Sequence, residues 1–427
     1  MAVESRLVAG RPTEDLVEQI GPNIMPELPA DAGRPEEAAR ILAFATQGAG
    51  GDDECRLKAL LEHSAAEIFP FIYADKKASF VRLLNIIRER RHELLVMEGT
   101  GVAGGIALLL GRLLYGMPYV VSSGDAVGPF LASRWPAFRP IFNWYERILC
   151  SRASGFVGWT PYLVGRALTF GCPRAMTAPG WAPYIRTAEY IADMRRRTRA
   201  RLGIPSDSIV FGLAGSLAWS KRPQYCYGSE LVQAICHAQA PHLRVLIVGD
   251  GNGRCKLEEQ AGNLLGRKVI LTGRVPREQV IDYLAAMDVA SLPQSVDAVG
   301  SFRYSTKISE YLALKLPIVT NHIPAGYDLD YGGFWRIAGK SPWDTHYVSN
   351  LAVLMDTVSH DMIARKRLAI HDDIPEFKRD YQIARVTDFL NDVIAGAARR
   401  TRVLLPSCEE SQTKGIHALS RKADRSK

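Results

Sequence analysis

The sequence predicts an α/β protein in which two doubly wound parallel sheets face each other across a cleft. Three observations point there. Short apolar runs alternate with amphipathic stretches from Ile41 to about residue 396, and the alternation occurs twice, on either side of an arginine-rich segment. Within each run the apolar residues are nearly continuous, as in strands covered on both faces by helices. The chain has 427 residues, enough for two or three domains, and is 47% hydrophobic and 23% charged, an ordinary globular balance.

In the first half, ILAFATQ (41–47) reads as a strand followed by the glycine-rich turn GAGG (48–51) and a helix from Asp52 to His63. EIFPFIYA (67–74) reads as a second strand and Ala78–Arg91 as a helix with Phe80, Leu83, Leu84 and Ile87 on one face. ELLVMEG (93–99), a helix over 100–115, PYVVSSG (118–124), a helix over 138–152 and GFVGWT (155–160) continue the pattern. In the helix over 138–152, Ile141, Trp144, Tyr145, Ile148 and Leu149 read as core, with membrane-dipping as the competing reading.

The second half repeats it. Strands are read at SIVFGLAG (208–215), RVLIVGDG (244–251), KVILTG (268–273), DVASLP (288–293) and PIVTN (317–321). Helices are read at Gln224–Ala238, Arg254–Leu265, 277–287, 306–315, 343–358 and 375–396. The expected organisation is a mobile tail over 1–37 and a first lobe over 38–180, completed by the helix at 375–396. A hinge over 181–206, a second lobe over 207–374 and a mobile basic tail over 400–427 follow.

The formal charge of +8 and pI near 9.1 suggest an anionic partner. No RNA-binding or finger pattern turns this into a nucleic-acid reading. The cluster Arg195, Arg196, Arg197, Arg199 and Arg201 reads as a solvated helix face, with an anionic-lipid contact as the alternative. The seven cysteines are scattered without metal spacing, and the nine histidines show no ligand pattern, so no metal site is expected. The segment 101–121 is long enough to span a bilayer, but Arg112 at its middle and Pro118 favour a buried helix followed by a strand. No secretory signal pattern opens the chain. The expected location is cytoplasmic, with peripheral contact at the inner face of the membrane left open.

Two segments carry chemistry. In VFGLAGSLAWSKR (210–222) a buried strand ends at Gly215 and turns through Ser216 to Lys221, placing an ammonium where a diphosphate could lie. The competing reading is a solvated loop lysine. In STKISEYLALKLPIVTN (305–321), Glu310 follows Lys307 by one helical turn and could accept two hydrogen bonds from a ribose diol; an i, i+3 surface ion pair is the alternative. GDGNG (249–253) lacks the spacing of a dinucleotide loop, which argues against NAD. Asp125, at the end of a strand, is a candidate active-site carboxylate or a turn cap.

Together these segments resemble the C-terminal domain of glycosyltransferase family 4, retaining enzymes of GT-B architecture with two Rossmann-like domains. The resemblance rests on Gly215–Lys221, on VILTGRVPREQVIDYLAAMDVASLP (269–293) and on EYLALKLPIV (310–319), in the family's order and approximate spacing. It implies that Lys221 binds the donor diphosphate and Glu310 the ribose hydroxyls. Gly249 and Gly251 would lie at a strand end near the donor, and Arg274 and Val275 near the base. Gly50 and Gly51 with Arg56 resemble the family's first glycine-rich turn, which faces the donor phosphates. Three positions depart from the pattern: Ser216 stands where an arginine is usual, Phe302 where the upstream glutamate falls, and Leu316 where a glycine is usual. The implied activity is transfer of a hexose from a nucleoside diphosphate sugar to a saccharide, lipid-linked or small-molecule hydroxyl, with retention and without metal or other cofactor. A catalytically weak sugar-nucleotide-binding or glycan-binding relative and a sugar-nucleotide epimerase of the same shape are the alternatives.

Overall fold

A computed structural model describes residues 40–182 and 187–404, with side chains to residue 397. The expected tail over 1–37 and part of the hinge lie outside the described residues. The first sheet contains β1 (Ile41–Ala45), β2 (Ala66–Ile68), β3 (Leu94–Glu98), β4 (Tyr119–Ser123), β5 (Gly155–Gly158) and β6 (Ala175–Thr177), all parallel, in the order β2-β1-β3-β4-β5-β6. Its helices are α1 (Asp52–Leu60), α2 (Lys76–Glu89), α3 (Val102–Tyr115), α4 (Val127–Arg134), α5 (Arg139–Arg152) and α6 (Pro161–Thr169).

Helix α7 (Ala188–Arg201) leads into the second sheet, whose order is β12-β11-β10-β7-β8-β9. Its strands are β7 (Ile209–Ala214), β8 (Leu243–Val248), β9 (Val269–Leu271), β10 (Val289–Leu292), β11 (Ile318–Asn321) and β12 (Phe334–Ile337). Around it run α8 (Ser229–His237), α9 (Arg254–Ala261), α10 (Val280–Ala285), α11 (Lys307–Ala313), α12 (Ala325–Asp328), α13 (Thr345–Thr357) and α14 (His360–Ala369). The last helix, α15 (Arg379–Leu404), returns to the first sheet, where Phe389 and Val393 close over Gly155.

Period-two alternation explains the apolar runs. Leu42 and Phe44 enter one core of the first lobe, while Ile41, Ala43 and Ala45 enter the core on the opposite face. In β7, Phe211 and Leu213 point to one face and Val210 and Ala214 to the other. Both faces are buried, so the strands carry no polar stripe. This is the GT-B arrangement of two Rossmann-like lobes around a cleft.

Several elements differ from the expected ones. The second strand is only Ala66–Ile68; Pro70 has no amide to donate, although Phe69 and Phe71 still enter the core. Helix α8 starts at Ser229 rather than Gln224, because Gln224 (φ 49°) and Gly228 (φ 97°) turn left-handed and Ser220 pairs with Tyr225. Elements α4, α6, β6, α12, β12 and α14 were not anticipated, and α15 continues beyond residue 396 into the stretch expected to be a tail.

The arginine-rich helix is not a free basic face. Arg195 and Arg199 both bind the buried Asp288, Arg196 and Arg197 pair with Asp193, and Arg201 stacks 5.0 Å from the Tyr283 ring centroid. Among the described residues no helix is long and apolar enough to cross a membrane, and α3 is a helix on the first sheet.

Candidate active site

The carboxyl ends of β7 and β8 open into a cavity of about 910 Å³. Gly215 and Ser216 follow β7, Gly249 and Gly251 follow β8, Arg274 and Val275 follow β9, and α11 contributes Lys307 and Glu310; all line it. Ligands of doubly wound sheets lie at such strand ends. The two glycine turns touch: a methyl on Gly249, whose φ is 140°, would lie 1.9 Å from the Gly215 carbonyl oxygen. The contact leaves no room for a side chain at the cavity floor. Lys307 crosses the Gly215 turn, its Nζ 3.4 Å from where a Gly215 Cβ would stand. Arg274, Arg277 and Lys307 set three cations against Asp250 and Glu310 in the wall, a balance suited to an anionic ligand.

Lys221 is absent from this wall. It is exposed and borders a separate depression with Trp219, Gln224, Lys256 and Glu259. The cause is the path of the loop after Gly215. Leu217 donates its amide to Asp250 O, Gly253 donates to Leu217 O, and Trp219 donates to Asn252 Oδ1, so the loop follows the β8–α9 turn away from the cavity. The lysine held in the cavity is Lys307, one turn before Glu310. Phe302 also differs from a donor-contact position: its side chain packs on the first lobe, 5.6 Å from the Arg166 guanidinium to the ring centroid.

Across the cleft, Asp52 of α1 reaches Arg277 at 3.3 Å, which brings the Gly48–Gly51 turn toward the cavity. The turn's amides are partly engaged, however. Gly50 donates to Glu54 Oε2 at 2.7 Å and Gly51 to Gly48 O. Arg56 does not face the cleft either. It is buried, donates to Ala178 O at 2.7 Å and lies 4.3 Å and 5.2 Å from the Trp159 and Trp181 ring centroids. Its partners Glu98, Trp159 and Ala178 lie at the carboxyl ends of β3, β5 and β6.

Asp125 does sit at the lobe boundary. Its Oδ1 accepts from Arg303 Nε at 2.7 Å, and that arginine belongs to the second lobe. Burial, with the Asp125 charge as the next cause, raises the Asp53 carboxyl above its ordinary value. Beneath them Glu98 is fully buried, 3.9 Å from Arg56 Nε. Its oxygens, Ser122 Oγ and Trp159 Nε1 all lack a hydrogen bond of good geometry. Burial dominates there: the Glu98 carboxyl is pushed up to about 7, with Arg56 opposing. Asp53, Glu98 and Arg303 carry no recognisable sequence signal; only the folded chain gathers them.

The first lobe has its own cavity, about 380 Å³, at the ends of β1 and β3. Thr46, Gln47, Tyr73, Lys76, Arg134 and Trp135 are in its wall.

Comparison with known proteins agrees with this geometry. Residues 208–333 match the family model described as "Glycosyl transferases group 1". TuaC of Bacillus subtilis (strain 168), provisionally named a teichuronic acid biosynthesis glycosyltransferase, is 30% identical over 148 residues, covering 35% of this chain and 31% of that protein. The matched segment thus spans about a third of that relative's length. A glycosyltransferase structure from Rickettsia africae ESF-5 aligns with TM-score 0.56 at 11% identity, over 83% of this chain and 98% of that one. A Listeria monocytogenes structure provisionally named UDP-N-acetylglucosamine 2-epimerase aligns with TM-score 0.51 at 9% identity, over 83% and 96%. The architecture is therefore common to structures named for either activity. The segment 208–333, which carries β7 to β11 and every residue named in the cavity wall, is similar to the group 1 glycosyl transferases.

Proposed function

We propose that the protein is a retaining glycosyltransferase that moves a hexose from a nucleoside diphosphate sugar to a hydroxyl of a saccharide, lipid-linked or small-molecule acceptor. The observation that carries this is Lys307 lying over the Gly215 turn, one helical turn from Glu310, in the wall of the cavity of about 910 Å³. Lys307 holds the diphosphate, Glu310 accepts from the ribose hydroxyls, and Arg274 and Val275 flank the base. The cavity at the ends of β1 and β3 takes the acceptor.

In the reaction the bond from the anomeric carbon to the diphosphate oxygen breaks with its electron pair left on the diphosphate. The acceptor oxygen bonds to the same face of that carbon, and its proton passes to the departing phosphate oxygen. Charge grows on the diphosphate as this happens. Lys307, already aimed there, stabilises it without reorganising. Asp125 holds Arg303 at the lobe boundary. No metal takes part, so turnover persists in excess chelator.

Purified protein is screened for thermal stabilisation by UDP-, GDP-, ADP- and dTDP-sugars, then assayed for transfer with the stabilising donor. The anomeric configuration of the product is read by NMR. Stabilisation followed by acceptor-dependent release of the nucleoside diphosphate supports the reading. Two results speak against it. Interconversion of the free sugar nucleotide without acceptor makes the protein an epimerase, the activity named for the Listeria neighbour. Binding without turnover makes it a binding module, which Ser216 and Phe302 favour.

A further inference from the structure

We propose that the face of the first lobe formed by the end of α4, the turn Pro136–Phe138 and α5 is a docking surface for an anionic lipid bilayer. Trp135, Phe138, Ile141 and Trp144 are 50%, 53%, 58% and 66% exposed, and they follow one another every third residue around this face. An exposed apolar run of this size on a lobe with two complete cores marks an interaction surface. The patch is rigid. The half-buried Phe142 ring lies 6.1 Å from Trp135 and 6.4 Å from Phe138, so both aromatics are propped outward.

Charge selects the occupant. From Ala126 to Arg152 the one acidic residue is Glu146, and it points inward to a two-pronged pair with Arg166 at 2.8 Å and 2.7 Å. Arg134, Arg139, Arg147 and Arg152 are all exposed in the same stretch. None of them has a carboxylate partner among the described residues, although Arg134 interacts with the Tyr73 hydroxyl. The arginines of α7, by contrast, meet carboxylates or an aromatic ring of their own lobe. Aromatic and aliphatic tips flanked by Arg139, Arg147 and Arg152, with no exposed carboxylate between residues 126 and 152, match an anionic headgroup layer over an acyl boundary. Each arginine near such a surface strengthens binding by about fivefold. Arg134 and Trp135 also belong to the wall of the first-lobe cavity, so the bilayer would lie at that cavity's mouth. The inference does not depend on the proposed reaction.

The test is co-sedimentation of the full chain with vesicles of phosphatidylcholine, alone or mixed with phosphatidylglycerol. The expected result is binding to the mixed vesicles that weakens with salt and is at least about tenfold weaker to phosphatidylcholine alone. Phe138→Ser/Ile141→Ser/Trp144→Ser and Arg139→Glu/Arg147→Glu each lower that binding at least about tenfold. Circular dichroism and melting temperature stay unchanged, since none of these side chains is buried. Wild-type protein remaining in the supernatant, equal binding to uncharged vesicles, or full binding by both variants overturns the proposal. So does a dimer, seen by light scattering, that the triple variant dissolves; that result assigns the face to a second copy of the chain.

Discussion

Lys307 and Lys221 were both present in the motif-bearing segments, and only their placement separates them. Lys307 lines the cavity with Glu310, whereas Lys221 is carried off by the loop that follows the β8–α9 turn. Lys307→Ala therefore lowers kcat/KM at least about tenfold, equivalent to about 1.4 kcal/mol of transition-state stabilisation. Lys221→Ala changes it by less than about threefold. A steady-state comparison of the two variants with the preferred donor checks the assignment, and the reverse ranking would return the role to Lys221.

Glu98 gives a second prediction at this scale. Its carboxyl titrates near 7 in the folded chain, chiefly because burial disfavours the charge, and from 4.5 when free. Between those values the folded state holds a proton that the unfolded chain has released. Stability must then fall as pH rises through that window. Glu98→Gln cannot titrate, so it gains stability relative to the wild type from pH 5 to pH 8. Parallel urea titrations of the two proteins would measure this, and a difference constant with pH refutes it.

Among the elements, α7 shows how a segment that looked like a hinge becomes part of a lobe. Asp288, at the start of β10, is buried and accepts from Arg195, Arg199, Arg367 and the Val210 amide. Burial alone would raise its carboxyl, but the three guanidiniums reverse the sign and hold it below the ordinary range. That contribution is present above the unfolded carboxylate's pKa and is lost as pH falls through the lower folded value. Asp288→Asn leaves the guanidiniums facing a neutral group and costs about 3 kcal/mol in urea unfolding. A loss below 1 kcal/mol, by the same measurement, would mean that α7 does not depend on this cluster. The arginine run itself was plain in the sequence. Its partner was not, because Asp288 lies in a different element and nothing local marks it as buried.

For the whole molecule, the segment Phe302–Tyr304 joins the lobes. Arg303 binds Asp125, the Phe302 carbonyl accepts from Thr160, and the Tyr304 amide and hydroxyl donate to Gly124 O and Gly180 O. These groups are positioned where the second lobe must hold still against the first. Arg303→Ala removes the ion pair while sparing the backbone contacts. It should widen the spread of lobe positions, seen as a larger radius of gyration by small-angle scattering, and lower kcat/KM about tenfold or more. An unchanged scattering curve and unchanged kinetics would remove Arg303 from the lobe contact as a functional element.

By itself the sequence determined the two parallel sheets and the set of strand-end and α11 positions that line one cavity. Nearly continuous apolar runs leave no other way to bury both strand faces, and motif order places strand ends together. Every expected donor-side position except Lys221 lines one cavity. The tertiary structure alone decided which lysine enters that cavity, that Arg56 and Arg199 are buried while Arg196, Arg197 and Arg201 stay exposed, and that Trp144 looks outward while Glu146 looks inward. These outcomes depend on contacts between residues far apart in the chain. Helical or strand periodicity reports which face a residue occupies, but not what that face meets.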